Sequence, residues 1–211
     1  MKIFWNVDTQ NDFMKDDSDY KGKLVVPGAN SIVGNLERLT QYADSRDIKV
    51  VNTGDWHTED SEEISNDPDF IKTFPAHCLI RTYGAEFISE TKPLEPYVVD
   101  WRDESINGDK VREARNIVLY KDAFNVFKGN SLTDNVLKIL GPDSVVVYGV
   151  ATEVCVKEAV LGLQKSGKQS YVVFDAIKGI DCVNVKNAMD EMREAGARFV
   201  CTNQVLEGRV R

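Results

Sequence analysis

The sequence predicts an α/β fold, a three-layer α/β/α sandwich around a six-stranded, mainly parallel sheet. Three observations predict it. Short β-branched runs alternate with longer helical patterns along the chain, those runs are apolar throughout, and isolated polar residues stand at their ends. Alternation of strands with helices is the mark of βαβ units, and continuous apolarity means that both faces of the sheet are covered.

Taken in order, residues 2–8 (KIFWNVD) read as the first strand. Residues 27–46 read as a helix, because Ala29, Ile32, Val33, Leu36, Leu39 and Ala43 recur on one face at helical spacing. Residues 48–54 form the second strand, 116–120 the third, 144–149 the fourth, 170–174 the fifth and 197–201 the sixth. Helices near 131–140, 153–166 and 182–195 separate the later strands. From 58 to 115 the pattern is less regular, with a short helix after Gly84, and reads as loops over one edge.

At 211 residues, 42% hydrophobic and 28% charged, the chain has the composition of one globular domain spanning residues 1–211. A net charge of −8 speaks against nucleic acid, whose phosphates need a basic face. No apolar run reaches the ~18 residues of a membrane span, and the run after Lys2 reads as a strand, not as a signal segment. Cys78, Cys155, Cys182 and Cys201 lie far apart without framework spacing. Reduced thiols and a cytoplasmic protein are therefore expected. No Gly-x-Gly-x-x-Gly follows the first strand, which counts against a nucleotide-binding domain.

The polar outliers carry the functional signal. Asp8 ends the first strand, Asp55 follows the second, Lys121 the third, Cys155 the fourth, and Asp175 ends the fifth. In an open parallel sheet all of these fall at the carboxyl edge, where such folds bind ligands. Each alone reads equally as a turn or helix cap; five together point to a site.

Cys155 stands in the first turn of a helix that starts directly after a buried strand. Unpaired N–H groups and a partial positive charge there lower a thiol's pKa and can hold an oxyanion. The competing reading is a small buried core residue. Beside Asp8 and Lys121 the thiol suits covalent acyl transfer, Asp8 taking its proton and Lys121 stabilising charge. The two histidines, His57 in Asp55-Trp56-His57 and His77 in Phe74-Pro75-Ala76-His77-Cys78, have the makings of a 2-His-1-carboxylate metal site. Lone surface histidines are the alternative. The acidic run 59–63 reads as a solvated loop from which Glu63 can offer a further oxygen ligand. Phe13, Trp56 and Phe74 read as core anchors or as walls for a flat ring.

Ordered motifs over nearly the whole chain resemble the isochorismatase-like cysteine hydrolases, and within them the nicotinamidase/pyrazinamidase branch. They are Val7-Asp8-Thr9-Gln10-Asn11-Asp12-Phe13, Leu24-Val25-Val26-Pro27-Gly28-Ala29, Gly54-Asp55-Trp56-His57, Phe74-Pro75-Ala76-His77-Cys78 and Gly84-Ala85-Glu86-Phe87. Two more follow, Gly149-Val150-Ala151-Thr152-Glu153-Val154-Cys155-Val156 and Asp175-Ala176-Ile177-Lys178-Gly179-Ile180. The resemblance implies an isochorismatase-like, Rossmann-like fold and a catalytic triad of Asp8, Lys121 and Cys155. It also implies a cis peptide between Val150 and Ala151, and an oxyanion hole from the N–H groups of Ala151 and Cys155. One divalent transition metal, zinc before iron or manganese, would be held by Asp55, His57 and His77. Phe13 and Phe74 match the ring-stacking positions.

The implied activity is hydrolysis of a small carboxamide, nicotinamide to nicotinate and ammonia, through a Cys155 thioester. A homo-oligomer is expected. The alternatives are another hydrolase of the superfamily, such as an isochorismatase or a carbamoyl amidase, and a non-catalytic binding module. Three departures bear on the exact amide. Phe74 stands where tryptophan is more usual. Residues 122–127 (DAFNVF) replace a Tyr-Ser-Ala-Phe run, and Glu153 and Val154 replace an Asp or Asn followed by an aromatic.

Overall fold

A computed structural model describes residues 1–210. One sheet runs through the molecule: β1 (Lys2–Val7), β2 (Val50–Asp55), β3 (Tyr97–Val99), β4 (Asn116–Lys121), β5 (Ser144–Val150), β6 (Gln169–Lys178) and β7 (Arg198–Val200). The spatial order is β3-β4-β2-β1-β5-β6-β7, and every neighbouring pair is parallel. The sheet therefore has seven strands and not the six expected. The additional strand, β3, is three residues long and lies at the edge against β4, inside the stretch that reads as irregular. A run that short, following Pro96, carries too little periodicity to stand out.

Both faces are covered as continuous apolarity requires. Along β1, Ile3, Trp5 and Val7 enter one core with Val145 and Val147 of β5, while Phe4 enters the other with Val146, Tyr148 and Val150. The first core is closed by α3 (Gly108–Glu113), α5 (Thr133–Leu140), α6 (Lys157–Lys165) and α7 (Cys182–Glu194), through residues such as Val111, Leu137, Val160 and Met192. The second is closed by α2 (Val33–Ser45) and α8 (Thr202–Leu206), through Leu36, Leu39, Ala43 and Val205. Two short helices, α1 (Asn11–Met14) and α4 (Val126–Gly129), sit directly after β1 and β4.

Two helices expected as continuous are divided. Residues 27–46 begin with a 3-10 turn, Ala29–Ile32, entered from Gly28 at φ 74°, before α2 starts at Val33. Residues 153–166 begin with a π-turn, Thr152–Val156, in which the Ala151 carbonyl accepts from both Val154 and Val156 N–H at 3.1 Å. The short helix expected after Gly84 is instead a 3-10 turn centred on that residue, Tyr83–Ala85, and the chain is extended at Glu86.

The strand order reverses direction at β1, which has β2 on one side and β5 on the other. Crevices at such switch points are where open parallel sheets bind ligands. The approach of β5 to β1 there depends on Gly149, whose φ is 122° and whose added Cβ would fall 2.0 Å from the Val7 carbonyl oxygen. Gly149→Ala is expected to destabilise the fold by about 3 kcal/mol or more, from a disfavoured φ together with a backbone clash. Urea unfolding midpoints at unchanged slope measure it; a loss below about 1 kcal/mol would show that the two strand ends can move apart.

Candidate active site

Four strands deliver their ends to one point. Asp8 follows β1 in a left-handed conformation, φ 48°, which a non-glycine residue adopts only when its surroundings enforce it. Its N–H donates to the Thr53 carbonyl at 3.1 Å, and its Oδ1 accepts from the Thr53 hydroxyl at 2.6 Å. Asp55 ends β2 in direct register with Lys121, the last residue of β4. Gln10 clamps the Asp55 backbone, accepting from its N–H at 2.7 Å and donating to its carbonyl at 2.8 Å. Cys155 lies in the π-turn after β5. All four side chains are buried.

Lys121 joins them. Its Nζ lies 3.0 Å from Asp8 Oδ2, donates to Asp55 Oδ1, and stands 3.9 Å from Cys155 Sγ. The contact with Asp8 Oδ2 is an ion pair without hydrogen-bond alignment, so that oxygen is left without a hydrogen-bond partner. Donor atoms of Asp8, Asp55 and Cys155 lie within 4.8 Å of one another.

The electrostatics follow from burial. Burial raises the Asp8 carboxyl above its usual range, against the pull of Lys121. At Asp55 burial acts in the same sense, but Lys121, His57 and His77 outweigh it and hold the group well below the ordinary value. Burial disfavours the charge on Lys121, yet Asp55 and Asp8 keep its ammonium protonated well above the usual range. Burial also pushes the Cys155 thiol well up, with Lys121 opposing and Asp8 adding to the rise. This corrects the expectation from the helix start alone. Burial, with the Asp8 and Asp55 carboxylates adding to it, favours the protonated sulfur.

His57 and His77, twenty positions apart, meet because the chain after His77 runs parallel to the chain at His57. His57 N–H donates to the Cys78 carbonyl at 3.1 Å, and Ile80 N–H donates to the His57 carbonyl at 2.9 Å. Asp55 Oδ2 then lies 3.8 Å from His57 Nε2 and 3.6 Å from His77 Nε2. His57 Nε2 is buried without a hydrogen-bond partner. The opposite ring nitrogens are engaged, His57 Nδ1 by Asp122 Oδ1 at 3.0 Å and His77 Nδ1 by the Pro75 carbonyl at 2.7 Å. Metal-binding imidazoles are typically held in this way from their far side. Three donors directed at one point, one of them otherwise orphaned, fit a divalent metal.

A narrow cleft lies above these groups, and with the solvent at its mouth it takes in about 420 Å³ of space. Asp55, His77, Glu63 and Cys155 line its polar side, and Phe13, Phe74, Phe124 and Ile180 are among its apolar walls. Phe13 and Phe74 both pack near His77, with ring centroids 5.4 and 6.1 Å away. Ala151 and Cys155 line the cleft together, and the Val150–Ala151 peptide between β5 and the π-turn is cis. Within the acidic loop Glu59, Asp60 and Glu62 are exposed, but Glu63 is buried and accepts Phe124 N–H at 2.9 Å on both oxygens.

One of the five polar outliers does not join the site. Asp175 lies within β6, which continues to Lys178, and its carboxylate accepts from Thr202 N–H and hydroxyl at the start of α8. It is a cap. Trp56 packs on Tyr120, with ring centroids 4.1 Å apart. Sequence reasoning missed Thr53, Gln10 and Asp122 as supports. The available signal for Asp122 is its place next to Lys121 at the carboxyl edge, and for Gln10 its place in the motif that starts at Val7; Thr53 carries no pattern of its own.

A sequence model described as the isochorismatase domain matches residues 3–204. The nicotinamidase/pyrazinamidase of Mycobacterium tuberculosis is 27% identical over 96% of this chain and 100% of its own. The nicotinamidase of Acinetobacter baylyi is 29% identical over 95% of this chain and 92% of its own. Among solved structures, the pyrazinamidase of Pyrococcus horikoshii in complex with zinc superposes with a TM-score of 0.74 at 27% identity, covering 95% of this chain and 98% of that one.

The metal reading is checked by elemental analysis of protein purified without chelator. About one divalent transition metal per chain is expected, lost in His57→Ala and His77→Ala, with affinity about 10- to 100-fold weaker in Asp122→Asn. Unchanged content in both histidine variants would overturn the assignment.

The buried base gives a second expectation. An activity that uses Asp8 as its base needs the carboxyl ionised, and its pKa is raised, so such an activity is present above that pKa and lost as pH falls through it. The acid limb of kcat/KM is expected above the ordinary carboxylate range. In Lys121→Met, whose missing ammonium no longer opposes the rise, the limb should move higher still. A limb at the ordinary value, unmoved in that variant, would assign the titrating group elsewhere.

Proposed function

Because the chain belongs to the isochorismatase family, we propose that it is a cysteine amidohydrolase that converts nicotinamide and water to nicotinate and ammonia, with a divalent metal as cofactor. The observation that carries this reading is the Asp55 carboxylate. One oxygen accepts from Lys121 beside Cys155, and the other faces the two histidines, so an acyl-transfer site and a metal site share one group. The names of the Mycobacterium tuberculosis and Acinetobacter baylyi relatives support the substrate, and the zinc of the Pyrococcus horikoshii structure supports the metal.

The residues divide the reaction as follows. Asp8 takes the Cys155 proton as the sulfur bonds to the carboxamide carbon. The carbonyl oxygen becomes an oxyanion held by the N–H groups of Ala151 and Cys155. Collapse breaks the C–N bond, and Asp8 returns the proton to the departing ammonia. Asp8 then takes a proton from water as the water oxygen attacks the thioester carbon, and passes it to the sulfur as the C–S bond breaks. Lys121 stays charged throughout and keeps the Asp8 carboxyl facing the sulfur. Phe13 and Phe74 enclose the flat ring, whose nitrogen faces the polar end formed by Asp55, His77 and Glu63. A metal at Asp55, His57 and His77 would supply Lewis acidity at that polar end.

A dianionic substrate of the isochorismatase type suits the cleft poorly. Asp55 and Glu63 face into it, and the ammonium of Lys121 is already shared by two carboxylates.

The deciding measurement is ammonia release from nicotinamide against benzamide, which has the same outline without the ring nitrogen. Benzamide leaves the polar end unmatched and is expected to be poorer in kcat/KM by about a hundredfold or more. Cys155→Ala should lose at least about a thousandfold in kcat, and Cys182→Ala should not. Equal rates for the two amides would point to a different amide, and ammonia from neither would overturn the reading.

A further inference from the structure

The turn that carries the nucleophile also holds a wall of the substrate cleft. Glu153, two residues before Cys155, is half-buried and points along the surface to the loop between β6 and α7. Its Oε1 accepts from Ile180 N–H at 2.8 Å and from Asp181 N–H at 2.9 Å. The loop passes so close that a Cβ at Gly179 would fall 2.3 Å from Glu153 Oε2 and 2.2 Å from Val185 Cγ2. Hydrogen bonds to a charged acceptor are the stronger kind, and two on one oxygen fix the loop on both sides of Ile180.

Ile180 is the residue so held. It lines the catalytic cleft, and it also lines the two grooves outside it. One of these, of about 810 Å³, shares Phe74, Val154 and Ile180 with the cleft and continues along α7 past Asn184 and Asn187. These three side chains face both spaces and form the wall between the cleft and this roomier groove. Phe74 and Val154 are carried by other segments, so Ile180 is the part of the wall that the Glu153 bonds control.

We propose that Ile180 sets the size limit for the amides this enzyme accepts, and that Glu153 is the positioning residue that holds it there. This deepens the amidohydrolase reading above and rests on it. With the wall in place, a bare pyridine ring fits and a ring bearing an alkyl group meets Ile180. With the wall removed or released, the substituent reaches into the outer groove.

The test uses the intact protein and its variants Ile180→Ala, Glu153→Ala, Glu153→Gln and the Ile180→Ala/Glu153→Ala double variant. Specificity constants are compared for nicotinamide and for nicotinamides ethylated at each ring carbon. For at least one ethyl isomer, Ile180→Ala and Glu153→Ala should each raise the ratio to nicotinamide by about tenfold. The rise in KM for nicotinamide should exceed the fall in kcat. The double variant should gain no more than the larger single one, because both act on one wall. Glu153→Gln keeps an oxygen able to accept both N–H groups and should retain the parent ratio.

A second readout needs no turnover. The rate of Cys155 alkylation by iodoacetamide is compared with that by a bulky N-benzyl iodoacetamide, with the Cys155 peptide resolved by mass from that of exposed Cys182. The bulky reagent should gain about tenfold relative to the small one in Ile180→Ala and Glu153→Ala. Unchanged ratios in both readouts for Ile180→Ala would overturn the proposal for the wall. A Glu153→Ala variant that slows every amide equally would overturn the positioning role. If the parent hydrolyses none of the amides, the functional reading fails, and the alkylation ratios still decide whether Ile180 is the wall.

Discussion

Everything in the site depends on how one buried ammonium is compensated. Lys121 is almost wholly inaccessible, and a buried unpaired cation costs several kcal/mol. Two carboxylates answer it, and they are not equivalent. Asp55 gives one oxygen to Lys121 and turns the other to His57 and His77, and these partners together hold its carboxyl well below the ordinary value. Asp8 shares the ammonium without a second cation and is pushed upward by burial. One lysine between two unlike carboxylates thereby drives their affinities for a proton apart. Pairs of titratable groups whose surroundings drive them apart are how acid and base roles are assigned in buried sites.

The sheet makes this compensation possible. Neighbouring parallel strands lie ~4.8 Å apart, so residues in register at their ends are already within side-chain reach. Asp55 and Lys121 are such a pair, and Val7 and Gly149, the residues before Asp8 and before the nucleophile turn, are another. The direction change at β1 opens the crevice between these two pairs. Asp8 crosses it only because its backbone turns left-handed immediately after β1, and Gly149 lets β5 come close enough to β1 for Cys155 to meet it.

What could be read from the chain divides along the same line. Asp8, Asp55 and Lys121 were legible as polar residues at strand ends and Cys155 as the cysteine in the turn after a buried strand, and parallel topology places such ends together. Asp175 has the same signature and goes elsewhere, because β6 runs on past it and α8 needs a cap. Strand ends are thus informative only when the strand truly ends. The edge strand β3 and the π-turn at Thr152–Val156 were not legible, the first for its brevity and the second because a π-turn shares the apolar spacing of an α-helix over so few residues. The support from Thr53 reaches the site through a tertiary contact that no local pattern encodes.

At Cys155 two opposing effects act on the thiol. A helix start favours a thiolate, but by about 0.3–1 kcal/mol at most exposed positions, less than one pKa unit. Full burial disfavours the same charge by as much as ~3–5 units. At Cys155 burial prevails, and the sulfur rests protonated beside a carboxylate able to receive the proton. Cys182 supplies the contrast within the same molecule. It is the first residue of α7, exposed, at the start of a regular helix, yet its neighbouring carboxylate, Asp181, already accepts from Val183 and Asn184 N–H. A helix start therefore does not make a nucleophile here. What sets Cys155 apart is the Asp8 carboxylate and the Lys121 ammonium beside its sulfur.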